Sequence, residues 1–413
     1  MKPRMKGRIF ISEPGTVSCA GMDKNELWDS LVKGRRTGMK EVQVRGGKKI
    51  YAASLREASL PQSDARFDMR IIRLENAALN QIGPSIEKAV SMYGKERVAV
   101  CVGSCDNGTE FSVAGHESYF STGSFPDDYE LEMQGADYVA TYIEEKYSIS
   151  GPVLSFATAC SSSAVACIKA SQLIQSGIVD AAIVGGVDIA SDTALLGFES
   201  LEAVSPDPTN PFSKNRRGIT LGDGAAFFVL SKDPLFDDGP AVVLCGWGES
   251  CDAHHITSPA ADGKGAASAM RNALENAGLR AEQIGYMNLH GTGTLLNDSM
   301  EAKAVAEIFG ENTFPCSSTK SITGHTLGAA GALEASICRE LIKRHALGER
   351  ELPAQVWDGV RDGDLPCLNF VDTQSPRVSN QVRYCMTNSF AFGGSNVSLI
   401  LGLADENLGD ADE

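Results

Sequence analysis

The stretch from Pro152 to Ala190 constrains the fold more than any other. "PVLSFATA" (Pro152 to Ala159) is an apolar run of strand length. It passes through Cys160 and three serines into "SAVACIKASQLIQSG", whose apolar residues recur at helical spacing until Gly177 stops them. "DAAIVGGVDIA" follows as a second buried strand. This β-helix-β unit predicts an α/β protein, and the pattern extends both ways. "RVAVCVGS" (Arg97 to Ser104) is a further buried strand upstream. Downstream, "AVVLCGWGES", "IGYMNLHG", "RYCMTNSFAF" and "NVSLILGL" read as strands. "GAASAMRNALENAGL", "NDSMEAKAVAEIFG" and "LGAAGALEASICRELIKR" read as helices. A similar order thus occurs twice, with the turn-rich "SKDPLFDDGP" between two related halves, 1–236 and 237–413. The region Asn107 to Glu132 has weak periodicity and many turn residues, which predicts a long surface insertion. The acidic residues after Ala404 are expected to fray.

A formal charge of -16 argues against nucleic acid or an anionic membrane as partner. "SKNRRG" (Ser213 to Gly218) is a candidate basic patch for a docking partner, with a solvated loop as the alternative. No apolar run approaches the ~20 residues of a membrane span. The basic N-terminus is interrupted by Glu13 and Pro14 and does not read as a signal peptide. The 11 cysteines are scattered without CxxC spacing, and the six histidines show no HxxxH pair. Reduced thiols in a cytoplasmic protein, with no metal site, are the expectation.

Four segments carry candidate chemistry. Cys160 sits where a strand turns into a helix, so unpaired N–H groups there would favour a thiolate, although a small buried thiol remains an equal reading. In "NLHGTGTLLNDSMEA", His290 ends a strand and Thr292 and Thr294 offer hydroxyls, before a helix expected from about Asn297. In "SSTKSITGHTLGAAGALEA", Lys320 and His325 share a loop. A nearby helix N-terminus would hold His325 neutral, and Glu301 is the expected partner of Lys320. "NSFAFGGSNVSLIL" places Phe390 and Phe392 beside the turn of Gly393 and Gly394. One thiol with two imidazoles points to stabilising an enolate rather than to hydrolysis.

Together "TACSSSA", "HGTGTLLND", "SSTKSITGHTLGAAGALEA" and "NSFAFGGSN" make the chain resemble the elongating, two-histidine β-ketoacyl-acyl carrier protein synthases over nearly its whole length. The resemblance implies the thiolase fold, a duplicated five-layered αβαβα arrangement, and a decarboxylative Claisen condensation. Cys160 would carry the acyl group. His290 and His325 would promote loss of carbon dioxide and stabilise the enolate. Lys320, with Glu301, would set the electrostatics, and Asp298 would support the loop. Backbone N–H groups of Cys160 and Phe392 would form the oxyanion hole, with Phe392 also the gate. Thr292, Thr294, Phe390, Gly393 and Gly394 would border the substrate. No bound cofactor is implied, since the acyl carrier protein supplies the phosphopantetheine. Acyl- and malonyl-carrier protein are the implied substrates, and a homodimer, or a heterodimer with a chain-length factor, the implied assembly. "WGESCDAHHITSP", "NLHGTGTLLND" and "CSSTKSITGHT" resemble the ketosynthases of aryl-polyene clusters. Against the family pattern stand Ser213, Asn215 and Arg217, where acidic residues are common, and Asp223 in place of glutamate. A degradative thiolase would need a second cysteine in "FAFGGSN". A non-catalytic chain-length factor would lack Cys160, and an initiating synthase would have asparagine at His325.

Overall fold

The computed structural model describes residues 8–55, 60–63, 66, 68–237, 239–372 and 380–404, so the acidic tail expected to fray lies outside the described residues. Along the strand Val98–Gly103, Val98, Val100 and Val102 enter one apolar cluster while Ala99 and Cys101 enter another. The strands Ala181–Asp188 and Gly224–Ser231 divide in the same way. Strands apolar at every position must be covered on both faces, which is why these runs show no polar alternation.

One mixed sheet runs, in spatial order, through β6 (Val153–Phe156), β5 (Val98–Gly103), β7 (Ala181–Asp188), β9 (Gly224–Ser231), β1 (Ile9–Ile11), β10 (Val242–Cys251), β15 (Ser395–Leu403), β14 (Tyr384–Phe390), β11 (Tyr286–Asn288), β12 (Pro315–Ser317) and β13 (Asn369–Phe370). β2 (Gly15–Ser18) pairs with β9 off this path. A small second sheet joins β3 (Met39–Gln43), β4 (Lys49–Ala53) and β8 (Leu221–Gly222). The long sheet repeats itself. β6, β5 and β7 are mutually parallel and are followed by antiparallel β9 and β1. β12, β11 and β14 are likewise parallel and are followed by antiparallel β15 and β10. Antiparallel pairing of β1 with β10 joins the two runs.

Five layers result. The helices Ser162–Gln175 and Ala330–Ala346 pack on each other and on strands of both runs, forming the middle layer. Arg70–Gln81, Gly83–Tyr93 and Tyr138–Tyr147 cover the outer face of the first run, and Lys264–Ala277 with Leu295–Phe309 lies on the second-run side. This is the duplicated αβαβα arrangement of the thiolase fold.

Three local expectations change. The supposed insertion from Asn107 contains a 14-residue helix, Thr109–Thr122. Only Gly115 of it is buried, so it has no apolar stripe to reveal a period, and its aromatic rings stack on residues just past its end, Tyr119 on Phe125 at 4.8 Å and Phe111 on Tyr129 at 5.0 Å. The run from Pro152 is a strand only over Val153–Phe156 and lies at the sheet edge, where Leu154 is 37% exposed. In the basic segment, Arg216 is buried and paired with Asp362 at 2.6 Å and Arg217 pairs with Asp207, so of its three cations Lys214 is the exposed one outside these pairs. Among the described residues, no helix is long and apolar enough to cross a membrane.

Candidate active site

Every site segment follows a strand of a parallel trio: Cys160 after β6, His290 after β11, Lys320 and His325 after β12, Phe392 after β14. The carboxyl ends of parallel strands are where α/β proteins open crevices. β6 and β12 hold equivalent places in the two runs, and the helices after them begin alike. Ala159 (φ 52°) opens a 3-10 turn to Ser161, and Leu327 (φ 48°) opens one to Ala329. A non-glycine residue in the left-handed region is strained by about 1–3 kcal/mol and persists only where neighbours hold it. At Ala159 that neighbour is Ser162, whose Oγ donates to Ala159 O at 2.6 Å and accepts from Thr158 N–H at 2.9 Å.

Cys160 Sγ lies 3.0 Å from His325 Nε2, and the ligating atoms of Cys160, His290 and His325 all fall within 4.8 Å of one another. The imidazole rings stand perpendicular, with centroids 5.4 Å apart. Burial pushes the Cys160 thiol up to about 11, against the lowering effects of Lys320 and of the backbone N–H groups of Phe392 and Cys160. Desolvation outweighs the helix N-terminus, so burial favours the thiol form of Cys160 over the thiolate expected from the helix end. Both imidazoles are held well below the usual histidine range, by burial first and the Lys320 charge second. His325 is held neutral, as expected, by its burial and the Lys320 charge.

Lys320 corrects a second expectation. Its Nζ donates to Glu334, with both side chains buried, and not to Glu301. Glu301 is engaged instead by the N–H groups of His290 and Gly291, each at 2.7 Å, and thereby fixes the loop that presents His290. Glu334 follows Lys320 by 14 residues, across a loop and into the next helix, a distance at which no helical period could have selected it. Lys320 Nζ also lies 3.4 Å from His290 Nδ1. An ammonium can only donate, so Nδ1 accepts and the His290 proton sits on Nε2. His325 Nδ1 is buried without a partner among the described residues.

A cavity of about 490 Å³ reaches these groups and is lined by Cys160, His290, His325, Thr292, Thr294 and Phe392, with Phe390 also in its wall. Thr292 and Thr294 share a hydrogen bond at 3.0 Å, and Thr294 caps the helix, which starts at Leu295 rather than Asn297. Asp298 accepts from the N–H groups of Phe212 at 2.7 Å and Gly293 at 3.2 Å, tying the loop down. Phe392 packs on Phe198 at 5.8 Å between ring centroids. Gly393 and Gly394 do not line the cavity. Gly393 N–H donates to Ile256 O at 2.8 Å, and Gly394 O accepts from Asp252 N–H at 2.9 Å. Exposed Leu201, Leu295 and Leu296 at the mouth were not singled out from sequence, where Leu295 and Leu296 fall in the loop ahead of the helix expected from about Asn297.

Asp223, the departure from glutamate, receives both Arg70 and the N–H groups of Leu55 and Ala190 at 2.8 Å each. The shorter carboxylate is thus fully used where it stands.

Residues 8–234 match the family described as "Beta-ketoacyl synthase, N-terminal domain", and residues 241–349 match its C-terminal domain. The ketosynthase ApeO from Xenorhabdus doucetiae, solved in complex with its chain length factor ApeC, superposes with a TM-score of 0.87 at 41% identity, covering 96% of this chain and 98% of that one. Nodulation protein E of Rhizobium meliloti is 31% identical over 413 residues, 96% of this chain and 99% of its own. The 3-oxoacyl-[acyl-carrier-protein] synthase 2 of Coxiella burnetii is 30% identical over 418 residues, 96% and 98% of the two chains. With both halves matched and relatives aligned over almost their whole length, the chain belongs to the β-ketoacyl synthase family and is a condensing acyltransferase.

Proposed function

We propose that residues 1–236 supply the nucleophile, Cys160, and residues 237–413 the two imidazoles that extend its acyl group by two carbons. The observation that carries this reading is a buried thiol within 4.8 Å of two neutral imidazoles. Sγ attacks the thioester carbonyl of the acyl-carrier protein. Its proton passes to His325 Nε2, 3.0 Å away, and from there to the departing phosphopantetheine thiolate. The carbonyl oxygen, negative in the tetrahedral intermediate, accepts from the N–H groups of Cys160 and Phe392. Malonyl-carrier protein then loses carbon dioxide, and the enolate oxygen accepts from His290 Nε2–H and from His325 in its Nε2–H tautomer. The enolate carbon attacks the acyl-cysteine carbonyl, and the Cys160 thiolate leaves and takes from water the one proton that the condensation consumes. Burial and the Lys320 charge keep both imidazoles neutral, each with one N–H to donate and one ring nitrogen to accept. The pantetheine arm runs past Thr292 and Thr294, and Phe392 moves to admit it.

The test is carbon dioxide release. His290→Ala should acylate Cys160 normally yet release carbon dioxide from malonyl-carrier protein about a hundredfold more slowly. Release at the parent rate removes the role given to His290.

A second reading concerns assembly. The 41% identity to a ketosynthase solved with its chain length factor, together with "WGESCDAHHITSP", supports a cytoplasmic aryl-polyene ketosynthase subunit paired with such a partner over a homodimer serving fatty-acid elongation. Co-expression with a cysteine-lacking sister subunit distinguishes them. A 1:1 complex supports the pairing, and a stable homodimer that ignores the sister supports the other.

A further inference from the structure

The second middle helix repeats the entry of the first, and Gly328 stands where the first has Cys160: one residue after the left-handed residue, two before the helix. The Cys160 N–H faces the sulfur, but the Gly328 N–H donates to Asp188 Oδ2 at 2.6 Å. Asp188, the last residue of β7, is 1% exposed. Its carboxylate also accepts from Ser104 Oγ at 3.0 Å, Cys105 N–H at 3.0 Å and Asp106 N–H at 3.1 Å. A Cβ on Gly328 would lie 2.7 Å from Asp188 Oδ2, so the carboxylate fills the space a side chain would need.

We propose that Asp188 is a positioning residue of the condensation: its carboxylate occupies the second half's counterpart of the oxyanion turn and holds the His325 loop within reach of the Cys160 sulfur. A helix entry with free N–H groups binds an anion, and here the protein supplies its own. His325 lies three residues before Gly328. On its other side β8 grips its backbone: His325 N–H donates to Thr220 O at 2.7 Å, and Gly222 N–H donates to His325 O at 3.0 Å. Asp188 is the opposing hold. It reaches the nucleophile side as well, since Cys105 Sγ, whose N–H it binds, lies 4.0 Å from Ser162 Oγ in the turn that carries Cys160. One carboxylate thus spans both catalytic turns.

Its charge also reaches the sulfur, where it opposes ionisation of Cys160. The titratable groups facing Asp188 are Asp106, Cys105 and Cys160, with the Tyr138 hydroxyl behind Asp106 at 2.9 Å. Those facing Cys160 are Lys320, His290 and His325.

The proposal rests on Cys160 as the acylated residue, so acyl loading of the parent protein on Cys160 is measured in the same series. Failure of that loading removes the nucleophile reading; normal loading with unaltered variants removes only the role of Asp188. Asp188→Asn keeps the shape but turns an N–H-accepting oxygen into a donor. Its kcat for condensation should fall by about tenfold or more with the acyl-carrier KM little changed. The pH midpoint of Cys160 alkylation by iodoacetamide should fall by about half a unit as the opposing charge is lost. Parent kcat with a parent midpoint overturns the proposal. So does a loss of activity that tracks a lower melting temperature and disappears on cooling. Should Asp188→Asn fail to fold, Ser104→Ala, which removes a single donor to the carboxylate, carries the same test. The midpoint then moves down by less, and an unmoved midpoint with parent kcat overturns the proposal.

Discussion

Lys320 shows how much one buried charge organises. It donates to Glu334, contacts His290, and holds both histidines neutral while easing ionisation of Cys160. In Lys320→Met these contributions are lost together, while burial, the larger cause, still disfavours charge on both rings. Neutral imidazole is the working form, and removal of the cation raises both histidine pKa values. The acid limb of the kcat/KM profile should therefore move to higher pH, and the Cys160 alkylation midpoint should rise. Glu334, already pushed up to about 7 by burial with the cation present, goes further up and stays protonated, so no bare charge is left in the core. A pH–rate profile coincident with the parent's would contradict this. Local motifs placed Cys160, His290, Lys320 and His325 in the sequence because each follows a strand end or sits in a glycine-rich loop. Glu334 and Asp188 were not legible. Each is selected by a neighbour brought in from another element, and nothing in its own segment differs from ordinary helix or strand. The protonation state of Cys160 was misjudged for a related reason: the helix end is visible in sequence, but the depth of burial is not.

The elements meet with little slack. A Cβ on Gly331 would lie 2.7 Å from Ala164 Cβ and 2.8 Å from Ala164 N, where the two middle helices touch. Gly331→Ala should cost about 1–3 kcal/mol through overpacking. It should also slow condensation, since those helices begin at the turns that carry Cys160 and follow His325. Denaturant unfolding alongside kinetics checks both, and an unchanged midpoint would show that the contact relaxes freely. At the other ends of the strands, Asp180 accepts from Arg97 at 2.6 Å and Lys232 at 2.9 Å, clamping the edges of β5, β7 and β9. The Arg97 bond comes first among the causes that hold the Asp180 carboxyl at about 2, below its ordinary 3.8. A depressed carboxyl contributes stability above its unfolded pKa and loses it as pH falls through the folded value. Asp180→Asn should thus be less stable by about 1 kcal/mol at neutral pH, the solvent screening of this rim site keeping the figure small. The gap should close as pH drops from about 5 towards 2. A gap independent of pH would show that packing, not charge, was lost. Long periodic helices and continuous apolar strands were readable from sequence. The helix Thr109–Thr122 was not, because Gly115 is its one buried residue and Phe111, which packs on Tyr129 and on the core, is only half-buried.

Across the whole molecule, two copies of one strand–helix topology share their middle helices, so turns 165 residues apart in sequence place Cys160 and His325 in contact. The doubled order of apolar runs made the repeat legible. The antiparallel junction of β1 with β10 was not, since three residues of β1 carry no period. The two copies are not alike at their turns: in one the Cys160 N–H faces the sulfur, and in the other the Gly328 N–H is taken by Asp188. The central claim is that Cys160 alone among 11 cysteines is the acyl acceptor. Peptide mass spectrometry after incubation with an acyl-carrier protein tests it most directly. One acyl group should appear on the peptide containing Cys160 and be missing from Cys160→Ala; an acyl group on a different cysteine, or its retention in that variant, would contradict the account.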